Sequence, residues 1–263
     1  MMKKIDQPIK LFDLSLFSSS EHQLLGKLAS FLRNSRRGGW PLVVMTPNPE
    51  QIMESDSNSR FKSILQSANF LIPDGVGLVW ASRSLKRFNH GQFLQKRIAG
   101  VEVVKQLLKL SAENEYKILI VGGRNYQPLL RRLPVAANQV GWTEAYRSAA
   151  EPTASEEEQL TLLIKSFQPD LVFVALGAPY QEYWIDDHRQ FLAHAQVKLA
   201  MTVGGSFDYL LGKVERAPKW LQALGLEWLF RLIVQPWRWQ RQLQLIRFSG
   251  KVALATLGFL PRD

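Results

Sequence analysis

The sequence predicts an α/β fold: a Rossmann-like, mostly parallel sheet with helices on both faces, followed by a basic helical appendage at the C-terminus. First, apolar, β-branched runs alternate with helical patterns, which is typical of parallel strands buried on both faces. Second, four of the five predicted strands end in glycine or in a proline-acid-glycine turn. Such turns are expected where a parallel sheet presents a ligand site at the carboxyl ends of its strands. Third, positive charge and tryptophan are concentrated in the last fifth of the chain.

Short apolar runs rich in β-branched residues define the strands. The predicted strands are Leu42–Thr46, Phe70–Ile72, Lys117–Val121, Leu171–Leu176 and Lys198–Val203. The predicted helices between them are Pro49–Gln66, Val101–Leu110, Ser155–Phe167 and Gln181–Ala193. The first helix has a clear start signal, because Asn48 stands at its N-cap, Pro49 at its first position and Gln51 at its third.

Composition limits the class of protein. An apolar fraction of 46% and a charged fraction of 21% over 263 residues are typical of a globular protein with a core. Cysteine is absent, which excludes disulfides and thiolate metal sites. Asp6 and Asp13 interrupt any apolar run near the N-terminus, so we predict no signal peptide and a cytoplasmic protein. Glu227 and Arg231 interrupt the late apolar stretches, and Val252–Leu260 is far shorter than the roughly 20 residues of a membrane span.

The C-terminal segment from residue 212 onward carries nine Lys or Arg residues against three acids, within a net charge of +10. It also holds four of the eight tryptophans. Basic residues interleaved with Trp and Leu favour a membrane surface. Nucleic acid is the other common partner of such charge, and an ordinary solvated basic helix is a third reading. We therefore predict an α/β body at residues 1–205 and a membrane-docking appendage at residues 206–263.

Several cofactor and metal motifs are missing from the sequence. Gly75-Val-Gly77 is followed by Leu78, Val79 and Trp80, so the third glycine of a dinucleotide fingerprint is absent. The four histidines have no metal-ligand spacing, and no Asp-x-Asp pair occurs. We predict that the protein needs neither a cofactor nor a metal ion, and that it does not bind nucleic acid.

Asp74 is the candidate general base. It follows the buried run that ends at Ile72, in the turn Pro73-Asp74-Gly75, where a substrate can approach the backbone. Asp-Gly is also a common turn pair, and Asp74 could instead cap a helix that begins near Val76.

Six segments in a fixed order carry a resemblance to a known family. They are Thr46-Pro-Asn48-Pro-Glu50, Pro73-Asp74-Gly75-Val-Gly77, Arg97-Ile-Ala-Gly100, Leu176-Gly-Ala-Pro-Tyr-Gln181-Glu182, Val203-Gly-Gly-Ser-Phe-Asp208 and Gly212-Lys-Val-Glu-Arg216-Ala-Pro-Lys-Trp220. From about residue 41 to about residue 241 the chain resembles the TagA/WecG/CpsF group of bacterial glycosyltransferases, glycosyltransferase family 26.

The resemblance implies an inverting, metal-independent transferase of bacterial surface-glycan synthesis. Such an enzyme moves an N-acetylmannosamine-type sugar from a UDP donor to a polyprenyl-diphosphate-linked N-acetylglucosamine. The alternatives are transfer of another UDP-hexose, for example glucose or N-acetylmannosaminuronic acid, or a non-enzymatic protein that binds nucleotides or nucleic acid.

The resemblance also assigns roles to site residues. Asp74 is the expected base, and the expected substrate-binding residues are Thr46, Asn48, Arg97, Gln181, Gly204 and Gly205. Two of these have rival roles, because Asn48 is also a helix N-cap candidate and Arg97 could be a surface arginine. Glu182 is expected to serve the N-terminus of its helix.

The resemblance implies that the C-terminal tail docks at the inner face of the cell membrane and covers the active site. Arg231, Arg238 and Arg241 are expected to meet the acceptor diphosphate or the UDP leaving group. A homo-oligomer is the alternative way to bury the apolar surface of the tail.

Overall fold

The computed structural model describes residues 8–35, 38–218, 220–221, 227–234, 236 and 239–259, with the side chains of residues 231 and 240–242 left out of the description. Its strands are β1 (Ile9–Leu11), β2 (Leu14–Leu16), β3 (Leu42–Met45), β4 (Phe70–Leu71), β5 (Ile118–Gly122), β6 (Val140–Thr143), β7 (Leu171–Ala175) and β8 (Leu199–Thr202). Strands β3 to β8 form one sheet in the order β4-β3-β8-β7-β5-β6, and every neighbouring pair in it is parallel. Strands β1 and β2 form a separate antiparallel ribbon.

The described helices surround this sheet. They are α1 (Glu21–Asn34), α2 (Pro49–Ser57), α3 (Ser59–Ser67), α4 (Val76–Ser84), α5 (Gly100–Asn114), α6 (Ala154–Phe167), α7 (Tyr180–Asp187), α8 (Arg189–His194), α9 (Ser206–Leu210), α10 (Glu227–Val234) and α11 (Trp239–Leu257). Short 3₁₀ turns lie at Lys86–Asn89, Gln127–Arg132 and Ala137–Gln139.

Helices cover both faces of the sheet. Successive side chains of each central strand point to opposite faces, and the helices bury them on both sides. In β3, Val43 and Met45 pack against the face that carries α2, α3, α4, α6, α7 and α8. Leu42 and Val44 pack against the other face, with α1, α5 and α9. The predicted fold class, a mostly parallel sheet with helices on both faces, is confirmed.

The predicted strands are all present, but helix α1, the β1–β2 ribbon and edge strand β6 are among the elements that were not predicted. The β1–β2 ribbon consists of three-residue strands, too short for a periodic signal. Edge strand β6 has the sequence Val-Gly-Trp-Thr, and only Val140 is buried in it, so it lacks an apolar run.

The predicted helix Pro49–Gln66 is two helices in the structure. The break is at Asn58, whose backbone is extended and whose side chain accepts the N–H of Phe61 at 3.0 Å to cap α3. The predicted helix Gln181–Ala193 is also two helices, α7 and α8, and the division is at His188, whose side chain makes no N-cap hydrogen bond to α8. An internal cap such as Asn58 interrupts a helix without interrupting the apolar pattern that sequence periodicity detects.

Helix α11 packs on the α/β body, where it contacts α2 and α4. Phe248 and Val252 are buried in the core, and the Phe248 ring meets Phe12 edge to face at 6.2 Å. Lys251 pairs with Asp56 at 2.5 Å. A boundary between body and appendage at residue 205 stays a prediction. Within the described ranges, no helix has both the length and the apolar character needed to cross a bilayer.

Phe248 should be the main anchor of α11. We expect Phe248→Ala to lower the free energy of unfolding by about 3–5 kcal/mol, because it deletes a buried aromatic ring from a packed core. Urea unfolding measures this loss. Ile246→Ala is the control, since Ile246 lies two residues away and is 69% exposed. Equal stability of the two variants would show that α11 does not depend on this contact.

Candidate active site

A cleft of about 1230 Å³ opens at the carboxyl edge of the parallel sheet. Loops that follow β3, β4, β5, β7 and β8 form its floor, and residues of α10 and α11 reach its rim. All seven residues predicted for the catalytic and substrate-binding site line it: Thr46, Asn48, Asp74, Arg97, Gln181, Gly204 and Gly205. The structure thus brings the predicted site residues together, while their chemical roles stay predictions.

Asp74 lies on the loop between β4 and α4, and this loop is tied to the one after β3. The backbone N–H of Asp74 donates to the carbonyl of Pro47 at 3.1 Å. A Cβ atom on Gly100 would lie 3.5 Å from Asp74 Oδ2 and 3.2 Å from Thr46 Cγ2. The carboxylate, Thr46 and the first residue of α5 are therefore close neighbours. Gly75 occupies the N-cap position of α4, so Asp74 stands one residue before the cap position.

Asn48 has the capping role that rivalled substrate binding, and it lines the cleft as well. Its Oδ1 accepts the backbone N–H of Gln51 at 3.0 Å, while Gln51 Oε1 accepts the backbone N–H of Asn48 at 3.1 Å. This reciprocal capping box orients the loop that carries Thr46 and Asn48.

Gln181 is held on both sides by the protein. Its Oε1 accepts the backbone N–H of Gly204 at 3.0 Å, and its Nε2 donates to Glu182 Oε1 at 2.8 Å. A Gln amide has two N–H groups and two oxygen lone pairs, so one of each is already used here. Any contact of Gln181 with a sugar or a uracil must use the remaining pair, in a fixed orientation.

Glu182 is fully buried, and sequence reasoning gave it only a role at the helix N-terminus. Its Oε1 accepts from Gln181 and also from Gln51 Nε2 at 2.8 Å. Burial raises the pKa of Glu182 to about 7, against the opposing effect of hydrogen bonds from Gln181, its own backbone N–H and Gln51. Glu182 lies in the first turn of α7, as expected, and two glutamine side chains are its additional partners.

Arg97 is engaged by the C-terminal segment. Its Nη2 lies 2.6 Å from Glu227 Oε2 at the start of α10. Glu227 also faces Arg216 at 3.4 Å, and Arg216 pairs with Glu102 of α5. The reading of Arg97 as an ordinary surface arginine is wrong, because it lines the cleft in an ionic network. The sequence motifs contained Arg216, and Glu227 was noted because it interrupts an apolar stretch. Nothing local indicated that these two residues meet near Arg97.

Tyr126, which sequence reasoning did not single out, is at the β5 end of the cleft. Its hydroxyl donates to Asp208 Oδ1 at 2.8 Å, and its ring is buried. Lys213 donates to the carbonyl of Arg124 at 2.6 Å and lies 5.3 Å from the centroid of the Tyr126 ring. This end of the cleft therefore carries cationic side chains beside a fixed aromatic ring.

The three predicted arginines of the tail fall largely outside the description. Arg231 belongs to α10 and Arg241 to α11, but their side chains are not described, and Arg238 lies outside the described residues. Their convergence stays a prediction. Across the part of the chain that the structure describes, no three His, Asp or Glu side chains are grouped as a metal site would require.

Parallel α/β proteins bind their ligands at this edge of the sheet, and the cleft places this chain in that class. Comparison with known families makes the class specific. The chain belongs to the "Glycosyl transferase WecG/TagA/CpsF family", whose model matches residues 9–260. The resemblance inferred from six sequence segments is confirmed and extends over most of the chain.

Two relatives illustrate the family. A Bacillus subtilis (strain 168) protein is 33% identical over 212 residues, which cover 79% of this chain and 77% of the relative. A Staphylococcus aureus (strain MRSA252) protein is 29% identical over 245 residues, which cover 89% of this chain and 87% of the relative. Both are named N-acetylglucosaminyldiphosphoundecaprenol N-acetyl-beta-D-mannosaminyltransferase.

The raised pKa of Glu182 predicts a pH-dependent difference in stability. Between pH 4.5 and about 7 the folded protein holds a proton that the unfolded chain has lost, so wild-type stability falls as pH rises through this window. Glu182→Gln cannot ionise. We expect its free energy of unfolding, relative to wild type, to rise by about 3 kcal/mol between pH 4 and pH 8.

Urea unfolding at a series of pH values measures this difference. Glu158→Gln, at an exposed position of α6, is the matched control and should show no comparable trend. A constant difference between Glu182→Gln and wild type would mean that Glu182 does not titrate in this range.

Proposed function

We propose that this chain is an inverting, metal-independent glycosyltransferase. It moves N-acetylmannosamine from UDP to N-acetylglucosamine carried on a polyprenyl diphosphate. The observation that carries the proposal is the cleft itself: in a chain of this family, it brings Asp74, Thr46 and Arg97 to one edge of the sheet. The names of the two relatives support the choice of sugar and of lipid-linked acceptor.

In the proposed reaction, Asp74 accepts the proton of the acceptor hydroxyl. The hydroxyl oxygen attacks the anomeric carbon from the face opposite UDP, and a new C–O bond forms as the bond to the diphosphate breaks. UDP leaves with the electron pair of the broken bond. Because the attack comes from the opposite face, the configuration at the anomeric carbon inverts. The cleft of about 1230 Å³ is larger than a typical small-molecule pocket of roughly 300–1,000 Å³, which suits a site for two substrates.

Charge on the departing diphosphate must be stabilised by the protein if no metal ion does so. The N-terminus of α5, fifteen residues long, reaches the cleft at Ala99 and Val101 and favours a nearby anion. Arg97, Arg216 and Lys213 also line the cleft. The absence of an Asp-x-Asp pair from the sequence supports transfer without a divalent ion.

The acceptor lipid requires access to a membrane, and α10 and α11 carry a suitable surface. Their exposed large apolar residues are Trp228, Leu229, Ile233, Val234, Trp239, Leu243, Ile246, Leu254 and Leu257. Trp and Leu near basic side chains favour the membrane interface. We propose peripheral association with the inner face of the cell membrane through this surface, with burial between subunits as the alternative.

A donor screen tests the proposal directly. UDP release is measured with a panel of UDP-sugars and a short-chain lipid-diphosphate N-acetylglucosamine, in buffer that contains EDTA. We expect turnover with UDP-N-acetylmannosamine that requires the acceptor. Preference for UDP-glucose or for a uronic acid donor would change the assigned sugar. Loss of turnover in EDTA, restored by a divalent ion, would contradict metal independence.

Asp74→Asn tests the assignment of the base. It should retain the melting temperature of the wild type but lose turnover by at least about 100-fold, since general base catalysis contributes roughly 10²–10⁴. Asp187→Asn is the matched control, because Asp187 forms an exposed ion pair with Arg60 away from the cleft. Near-normal turnover of Asp74→Asn would remove Asp74 as the base.

The tail arginines are tested together. Arg231, Arg238 and Arg241 changed to Ala should lower turnover on vesicle-borne acceptor by at least about tenfold, since each cation near an anionic surface contributes about 1 kcal/mol. The control replaces three exposed arginines away from the cleft, Arg33, Arg131 and Arg147, and makes the same change in net charge. Equal turnover of the two triple variants would contradict a role of these tail residues.

A further inference from the structure

We propose that Glu182 is the positioning residue of the cleft. It holds the loops after β3, β7 and β8 in one fixed arrangement. The structural part of this inference stands on contacts alone, and its catalytic part rests on the proposed function. Glu182 does not itself line the cleft, so it acts through its neighbours.

The first step is the shared acceptor. Glu182 Oε1 receives one N–H from Gln51, on α2 after β3, and one from Gln181, at the start of α7, both at 2.8 Å. In the ionised group both oxygens accept, and in the neutral group the oxygen without the proton still accepts. Because Oε1 receives both N–H groups, both amides direct their nitrogen atoms toward it. Their oxygen atoms are therefore directed elsewhere.

The second step is what these oxygens hold. Gln51 Oε1 accepts the backbone N–H of Asn48 at 3.1 Å, and Gln181 Oε1 accepts the backbone N–H of Gly204 at 3.0 Å. One buried carboxylate thus determines the orientation of two amides, and each amide holds one backbone N–H of a loop in the cleft.

The third step reaches the proposed base. Pro47, next to Asn48 in the chain, accepts the backbone N–H of Asp74 at 3.1 Å. A continuous series of contacts therefore runs from Glu182 through Gln51 and the Asn48 loop to Asp74. Loss of the acceptor at position 182 would free Gln51 to rotate and would loosen the loop that supports Asp74.

A stabilising role alone does not explain why a buried carboxyl group is present at position 182. Its side chain is 0% exposed, and its Oε2 has no hydrogen-bond partner among the residues that the structure describes. In the same part of the chain, no Lys or Arg forms an ion pair with it. A buried carboxyl group without a cation costs stability relative to an apolar side chain of similar size. Its presence is better explained by the geometry that it imposes on the cleft.

Glu182→Leu and Glu182→Gln separate positioning from stability. Leu removes the acceptor, whereas Gln retains an oxygen that both amides can reach. We expect Glu182→Leu to fold and to lower kcat by about 10–100-fold, because small displacements of a reacting group are costly. The donor KM should rise as well, because the loosened loops carry Asn48 and Gly204. Glu182→Gln should keep kcat within about threefold of the wild type, which is rescue by the conservative variant.

Amide hydrogen exchange gives a readout that does not need activity. Glu182→Leu should increase exchange at Asn48 and Gly204 by about tenfold or more, and Glu182→Gln should not. Glu157→Leu is the matched control: Glu157 is held by Tyr146 and His188 away from the cleft, so its loss should lower the melting temperature but not kcat.

The possible results are distinct. Unchanged kcat and unchanged exchange in Glu182→Leu would overturn the proposal, and so would an equal loss of kcat in the Gln and Leu variants. If the wild type shows no transfer to any lipid-linked acceptor, the proposed function fails, while exchange at Asn48 and Gly204 still decides whether Glu182 positions the loops.

Discussion

All six strands of the main sheet run in the same direction, and both faces of the sheet are covered by helices. This constraint determines where chemistry can take place. With both faces buried, polar side chains that must reach a ligand can be placed only at the edges, and parallel strands deliver all their carboxyl ends to one edge. The glycine- and proline-marked turns of the sequence are separated by many residues, yet they meet at this edge because the strands are parallel.

Two different kinds of interaction hold the walls of the resulting cleft. On one side, neutral amides and a buried carboxyl group connect Gln51, Glu182, Gln181 and Gly204. On the other side, ion pairs connect α5 and Arg97 with the C-terminal segment through Glu227. Buried hydrogen bonds resist salt, whereas partly exposed ion pairs are screened by it. The hydrogen-bonded wall contacts the loop that supports the proposed base, and salt should weaken the wall formed by the C-terminal segment more than this one.

Helix α11 shows how one segment serves both the core and the proposed membrane contact. Phe248 and Val252 are four residues apart and buried, while Ile246, Leu254 and Leu257 are exposed. A helix can present different residues to protein and to lipid in this way because its side chains point around the axis. In the apolar stretch that is too short to span a membrane, Val252 is therefore part of the core, whereas Leu254 and Leu257 are exposed.

The sequence by itself determined five of the six strands of the main sheet and the positions of Asp74, Thr46 and Asn48 at their carboxyl ends, while the family resemblance added Arg97. Local patterns are sufficient for this, since an apolar run followed by a turn marks both a strand and its end. The break at Asn58 and edge strand β6 were not predicted, because neither leaves such a pattern in the sequence. Only the tertiary structure decided that Glu182 meets Gln51, 131 residues away, and that Arg97 meets Glu227, 130 residues away. Such contacts join segments that are distant in the chain, and their partners are set by how helices pack around the sheet.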